Sequence, residues 1–342
     1  MSLHDIANKV HDAEGVQYPD PVKGRVLYAD ADSFCYHCAR PDDETPEENM
    51  YYLVRYMNEL RLKAGAETME NHLTMGDKGR HHIAVSKPYQ GNRTYDMDDP
   101  YQKRVQFLKH FLDGYRSPVI KPVSWLNQEA DDGLCQAMYK ADFSDQAVLY
   151  SPDKDLRMVP GYYMDHKTFD IHYRFCSPGN LWRRPDNNKI EGHGMMWFFF
   201  QLLAGDRADN IPGLSHLHKS LLPESSAMMK IREELRTKRN LTTKQIRQRN
   251  EKLIQLQKDR KHKQCGDATA YSYLNQYSTE RQFYAAVCEA YRRCYTPPGV
   301  LNAKLSTQDE MTWKEIFHEQ ARLLWLKREP DEDVVTDYLD LL

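Results

Sequence analysis

Acidic phrases placed just after apolar runs, or at the start of helical ones, constrain this chain more than any other feature. They are Glu129-Ala130-Asp131-Asp132, Ser151-Pro152-Asp153-Lys154-Asp155 and Gly205-Asp206-Arg207-Ala208-Asp209-Asn210. A lone Asp after a strand is commonly just a cap or a turn residue. Several carboxylates brought to one sheet edge repel each other unless cations sit among them. An all-oxygen set of this kind suits Mg²⁺ or Mn²⁺, which take one or two carboxylates each plus substrate phosphates.

The strand signals supply such an edge. Arg25-Val26-Leu27-Tyr28-Ala29 predicts a buried first strand that ends at Asp30. A helix is expected from about Ser33, and another over 47–64 with Pro46 in its first turn. Further short strands are expected at 71–75, 119–123 and 146–150; the first ends at Gly76-Asp77-Lys78-Gly79 and the last at the Asp153/Asp155 phrase. Glu129 and Asp131 open a helix, where the positive end of the dipole favours acids. Residues 197–204 read as a buried helix, with Asp206 and Asp209 just beyond it. Ligands of open α/β sheets bind outside the carboxyl ends of the strands. Five segments thus aim acids at one rim, which reads as a two-metal, phosphodiester-cleaving centre rather than as five separate caps.

At 342 residues the chain can hold one large α/β domain with an appendage, or two domains. The longest apolar run, 195–204, is too short to span a bilayer, and the first two dozen residues lack a signal-peptide core. A cytoplasmic location without membrane association is expected. Seven cysteines, an odd number, argue for reduced thiols. Cys35-Tyr36-His37-Cys38 has zinc-like spacing but no matching second pair, so buried thiols on a helix are expected. His81, His82, His216 and His218 read as surface or core residues.

Basic charge is unevenly spread. The stretch 78–118 carries Arg80, Lys87, Tyr89, Arg93, Tyr95, Tyr101, Lys103, Arg104, Lys109 and Tyr115. It reads either as a flexible loop that grips single-stranded backbone and stacks bases, or as a solvated surface. Residues 219–263 hold 14 Lys and Arg against five acids, a charge of +9 that leaves −12 on the rest of a chain of net −3. Long solvated helices are expected there, suited to a phosphate backbone or simply a charged hairpin without contacts. Residues 312–327 are amphipathic and expected to pack on the core, whereas the acidic tail after Pro330 reads as mobile or partner-binding.

In this order the motifs resemble the 5′ nucleases: bacteriophage 5′-3′ exonucleases, flap endonucleases and the 5′-nuclease domain of bacterial DNA polymerase I. Asp30, Asp77, Glu129-Ala130-Asp131-Asp132, Ser151-Pro152-Asp153-Lys154-Asp155-Leu156 and Gly205-Asp206-Arg207-Ala208-Asp209-Asn210-Ile211-Pro212-Gly213 carry the likeness over roughly residues 25 to 213. Glu319-Gln320-Ala321-Arg322-Leu323-Leu324 is similar to the ending of phage exonucleases. The resemblance implies an α/β, PIN-like core with a central mostly parallel sheet and flanking helices, a helical arch and a helix–hairpin–helix DNA-binding subdomain. The corresponding expectation is an N-terminal extension at 1–24, a nuclease core at 25–205 with its arch at about 78–118, a DNA-binding region at 206–295, and a C-terminal helix and tail at 296–342. It further implies two ions, Mg²⁺ or Mn²⁺. One would be held by Asp30, Asp77, Glu129 and Asp131 with Asp132 adjacent, the other by Asp153, Asp155, Asp206 and Asp209; K⁺ is expected at the helix–hairpin–helix.

Implied DNA contacts are Lys87, Tyr89, Arg93, Lys154, Gly213 and Gly266. Gln90 stands where the arch stretch Tyr-Lys-(Gly/Ala)-Asn-Arg has lysine. The second half of the hairpin motif occurs only at Gly266-Asp267-Ala268-Thr269-Ala270, so residues 215–264 are expected to be an insertion that splits it. The expected partner is DNA with a 5′ end, flap or gap, in phage replication or recombination. The alternatives are a ribonuclease acting on RNA–DNA hybrids and a non-catalytic DNA-binding module.

Overall fold

A computed structural model describes residues 18–40, 45–94, 96, 98–238, 240–295 and 311–342. Tyr95, Arg239 and most of the expected N-terminal extension lie outside the described residues.

The first strand, β1 (Val22–Asp30), runs at the centre of a six-stranded sheet of order β3-β2-β1-β4-β5-β6. Its neighbours are β2 (Ala66–Thr74) on one side and β4 (Ala147–Tyr150) on the other; β3 (Ile120–Trp125) and β5 (Gly161–Met164) lie outside them. All four of these pairings are parallel, and only β6 (Ile171–Arg174) joins antiparallel at the edge. The chain is therefore α/β with a mostly parallel sheet. Strand order reverses between β1 and β4, and such a switch point opens a crevice above the carboxyl ends of the two strands.

Alternation along β1 and β4 supplies both layers. Leu27, Ala29, Val148 and Tyr150 face a core formed with α1 (Ala31–Cys38), α2 (Pro46–Lys63) and α3 (Pro100–Gly114). Cys35 and Cys38 are buried there on α1. Thr45 and Glu48 form a reciprocal capping box at the start of α2, with Pro46 in the first turn. Ala147 and Leu149 face the opposite core, which takes in α4 (Ala130–Lys140) and α5 (Gly194–Ala204). The antiparallel pair β7 (Asn180–Arg183) and β8 (Ile190–His193) leads into α5. The latter is buried all round, and each large side chain in it contributes roughly 1.5–3 kcal/mol by leaving water.

Beyond α5, β9 (His216–Leu217) pairs antiparallel with β10 (Lys263–Gln264), and Cys265 N–H donates to Ser215 O at 3.3 Å. Between them stand α6 (Ser226–Thr237) and α7 (Thr243–Lys258). No described residue of α7 is buried, and Arg249 ties it to Glu234 of α6 at 2.9 Å. The core resumes with α8 (Asp267–Leu274), α9 (Glu280–Cys294) and α10 (Trp313–Leu324). The acidic tail packs on the core: α11 (Val334–Asp337) and its flank bury Val334, Val335, Tyr338 and Leu339. Among the described residues no helix is long and apolar enough to cross a membrane.

Candidate active site

Each acidic segment reaches the switch point for a local reason. Asp30 ends β1 and caps α1, accepting from Ser33 N at 3.2 Å and from Ser151 Oγ at 3.1 Å. Ser151 follows β4 and also accepts Asp153 N at 2.9 Å, while Asp153 accepts Asp155 N at 2.8 Å. These bonds curl the 151–155 turn inward beneath Asp30. Asp131 lies in the first turn of α4, whose N-terminal end favours negative charge. After α5, Gly205 adopts φ +78°, and a Cβ there would strike Ile211 O and Pro212 backbone. The turn then folds back, with Asp206 and Ile211 exchanging backbone bonds at 2.9 and 2.7 Å.

The resulting cavity, about 870 Å³, is lined by Asp30, Asp131, Asp153, Asp155 and Asp209 among others. One carboxylate oxygen each from Asp155, Asp206 and Asp209 lies within 4.8 Å of the others. Burial first, and then the negative charge of Asp32 and Asp153, pushes Asp30 up to about 7. Asp155 is likewise pushed up to about 7, by burial and then by Asp153. Burial and the charges of Asp153, Asp30 and Asp155 hold Asp131 well above the ordinary carboxylate range. Asp153 is raised too, mainly by burial. Mutual repulsion of this kind is what a bound divalent cation relieves.

Side-chain cations and one amide ring the cavity. Lys154 contacts Asp206; Arg93 Nη2 lies 2.8 Å from Asp209, and Lys109 Nζ lies 2.7 Å from Asp32. Gln90, at the position of the expected arch lysine, donates to Asp209 at 2.7 Å and accepts from Lys78 at 2.6 Å. Its side chain thus turns toward the acids.

Several expected site residues occupy other places. Asp77 is exposed on the loop after β2, caps Gly79 N at 3.1 Å and meets His82 at 3.3 Å, so it does not join the other acids. Asp132 does not line the cavity; turned about 100° round α4 from Asp131, it accepts Arg80 Nη2 and the Lys327 main-chain N–H, both at 3.0 Å. Glu129 is at the rim but is held by Arg80, by Lys78 at 3.5 Å and by the Tyr89 hydroxyl at 3.2 Å. Tyr89 is buried in the core and also lines the cavity wall. Lys87 is half-buried and is not among the residues that line the cavity. Lys154 lines the cavity with its side chain partly exposed and its ammonium on Asp206. Gly213 packs with φ +60° against Gly205; its N–H donates to Gln320 Oε1 at 3.0 Å and its carbonyl accepts from Tyr295 at 3.3 Å. Its amide is therefore engaged inside the protein, whereas Gly266, at the start of α8, is open on its Cβ side.

Three residues at the site carry little signal in the sequence. Asp32 lies two positions after Asp30, on the same cavity wall. Arg80 is buried and joins Glu129, Asp132 and Trp325 O. Gln201, the lone polar side chain in the apolar heart of α5, touches Asp155 and Asp206. An amide in an otherwise apolar helix is the one sequence feature that marks it.

No family model matches the chain, and no curated protein matches it. Among solved structures it is similar to the bacteriophage T5 D15 protein co-crystallised with metal ions, at 14% identity over 77% of this chain and 92% of that one, TM-score 0.43. It is similar to the same degree to a T5 D15 flap endonuclease complex with DNA and metal ions, covering 77% and 93%, at 14% identity and TM-score 0.43. A third likeness is to T5 5′-exonuclease with divalent zinc bound, at 13% identity over 77% and 92%, TM-score 0.43.

Proposed function

We propose that this chain is a metal-dependent 5′ nuclease that hydrolyses DNA phosphodiester bonds with two divalent ions, Mg²⁺ or Mn²⁺. The observation that carries the reading is the meeting of Asp30, Asp131, Asp153, Asp155, Asp206 and Asp209 at the switch point, four of them held above their ordinary ionisation range. The donors are all oxygens, which fits a hard divalent cation. Asp30 and Asp131 would hold one ion and Asp155, Asp206 and Asp209 the other, with Asp153 between them. Asp77 and Asp132 belong to neither set. Bound ions would supply activation of water and stabilisation of the leaving oxygen.

The chain's own residues orient the substrate. Arg93, Lys78 and Lys109 put positive charge at the cavity mouth, where a scissile phosphate can exchange for their present carboxylate partners. Residues 78–118 form the arch in this reading, and the ladder of β9 and β10 closes a helix–hairpin–helix interrupted by α6 and α7. Because the Gly213 amide is engaged, the grip on duplex phosphates shifts toward Gly266. A cleft of about 670 Å³ beside it is lined by Arg183, Arg260, Lys261, Lys263 and Thr269. Phosphate contacts of this kind hold duplex without reading its sequence.

The test is hydrolysis of 5′-labelled duplex, flap and RNA–DNA hybrid substrates by the Asp153→Asn, Asp155→Asn double variant. Mg²⁺-dependent cleavage should disappear while DNA binding at low salt persists. Undiminished cleavage would remove this site from the chemistry, and preference for the hybrid would move the substrate assignment to RNA.

A further inference from the structure

The amide of Gln201 is the structure's least expected polar group. It is 2% exposed on α5, among Trp197, Phe198, Phe200, Leu202 and Leu203, where an apolar side chain of the same size would pack as well. Its Nε2 donates to Asp155 Oδ1 at 2.6 Å and lies 3.5 Å from Asp206 Oδ2. Its Oε1 is buried with no hydrogen-bond partner. Leaving a buried acceptor unpaired costs stability, so the amide is not explained by what it does for the core.

The orientation follows from charge. Turned over, the amide would aim Oε1 at two carboxylates, oxygen against oxygen, and leave both N–H donors buried without acceptors. With the NH₂ toward the acids, one neutral group offers a hydrogen to each of two carboxylates from segments 51 residues apart. Lys154 also contacts Asp206 and lies 4.0 Å from Asp155 Oδ1, but its charge competes with a divalent ion for the same oxygens and would have to swing away as the ion binds. The neutral amide orients them without competing.

The backbone reinforces the link. Gly205 N–H donates to Gln201 O at 2.7 Å, so the residue that touches Asp206 also closes the last turn of the helix that presents it. Asp206 Oδ1 is held separately by Ala208 N at 2.9 Å. Gln201 thereby sets the spacing between a carboxylate from the β4 turn and one from the end of α5.

We infer that Gln201 is a positioning residue for the cation held by Asp155, Asp206 and Asp209: it bridges the first two acids and so sets the affinity of the site. The inference rests on the metal-dependent reading above. Groups that orient metal ligands typically account for ten- to a hundredfold in affinity, so removing this one should weaken binding by about tenfold or more.

The experiment uses the full chain without DNA, with Mn²⁺ binding followed by electron paramagnetic resonance and titration calorimetry. The Gln201→Met variant keeps the volume and removes both donors; a melt in EDTA verifies that it folds. Should it not fold, Gln201→Asn, whose shorter amide cannot reach both acids, is measured in the same way. The expected result is wild-type stoichiometry with about tenfold weaker binding of one Mn²⁺ ion, and cleavage that recovers as Mn²⁺ is raised. Equal Mn²⁺ affinity in the variant and the wild type overturns the positioning role and leaves the nuclease reading standing. Absence of Mn²⁺ binding by the wild type, or binding unchanged by Asp155→Asn, overturns the metal reading itself and this inference with it.

Discussion

The side chain of Gln90 bridges Lys78 and Asp209, accepting from the ammonium at 2.6 Å and donating to the carboxylate at 2.7 Å. Its main-chain N–H also donates to Asp209 O at 2.9 Å, from a residue at φ +52°. The loop that covers the site and the turn that supplies its last acid are thus joined at one residue. Replacing Gln90 with Ala removes both side-chain bonds and leaves Arg93 on Asp209. A net hydrogen bond contributes roughly 0.5–1.5 kcal/mol, so Mn²⁺ affinity should fall by up to about tenfold. Calorimetric titration of the variant checks this; a change confined to thermal stability, with metal affinity intact, would contradict the link.

The acids predict an unusual dependence of stability on pH. Asp30 and Asp155 are pushed up to about 7 in the folded protein, from ordinary carboxylate values near 4 when unfolded. Between about pH 4 and 7 the native state therefore binds more protons than the unfolded chain. The contribution of these groups is fully present below the unfolded value and is lost as pH rises through 7. In EDTA the melting temperature should accordingly be higher at pH 5 than at pH 8, and saturating Mg²⁺ should narrow the difference. Asp155→Asn should flatten the profile in EDTA. Burial pushes His72 the opposite way, down to about 3, in both proteins, so the comparison decides: an Asp155→Asn profile in EDTA identical to that of the wild type would contradict the placement.

Arg80 joins three groups across the molecule, Glu129, Asp132 and the Trp325 carbonyl, and Asp132 in turn accepts the Lys327 main-chain N–H. Breaking a buried ion pair by removing one partner typically costs about 3–5 kcal/mol, because the other charge stays buried. Arg80→Met should lower unfolding free energy by roughly that much in a urea titration. Arg80→Lys should recover only part of it, since an ammonium cannot reproduce the forked geometry.

The basic hairpin makes a separable contribution. Replacing residues 218–262 with a short turn between β9 and β10 removes most of the +9 segment while keeping the ladder that anchors it. Duplex affinity should fall and depend less on salt, the log–log slope becoming shallower by about 0.9 for each phosphate that the protein no longer neutralises. Melting temperature should fall modestly, because α7 buries none of its described residues while α6 buries Met228 and Ile231, and Leu221 and Leu222 pack on the core. Filter binding across a salt series measures both affinity and slope; an unchanged slope would mean that the hairpin does not touch DNA.

Much of the core could be read from residue pattern. The apolar runs of β1 and β4 and the helices α2 and α5 stand close to where periodicity and capping residues put them, because each is specified by side chains close in sequence, whereas β2 begins at Ala66, five residues ahead of the expected 71–75. The strands within residues 161–193 carry no such pattern. They are four residues long with mixed side chains, so their pairing depends on partners elsewhere. The tail likewise looks acidic in sequence yet buries Val334, Val335, Tyr338 and Leu339, with Arg328 stacked on Trp325 and Tyr338.

For the site, sequence alone determined which acids end strands or begin helices, since that depends on local propensity and turn chemistry. Tertiary structure decided which of them face one another. Asp131 and Asp132 are adjacent, yet the turn of α4 puts one on the cavity wall and the other behind it, held by Arg80 and the Lys327 main-chain N–H. Asp30 is the last residue of β1 and is drawn in by Ser151, whereas Asp77 lies three residues beyond the end of β2, on a loop where it meets His82. Gln201 could only be assigned a role in three dimensions, because its two partners come from different segments. Carboxylate chemistry is written in the residue types; the distances that make it a site arise only when distant segments pack.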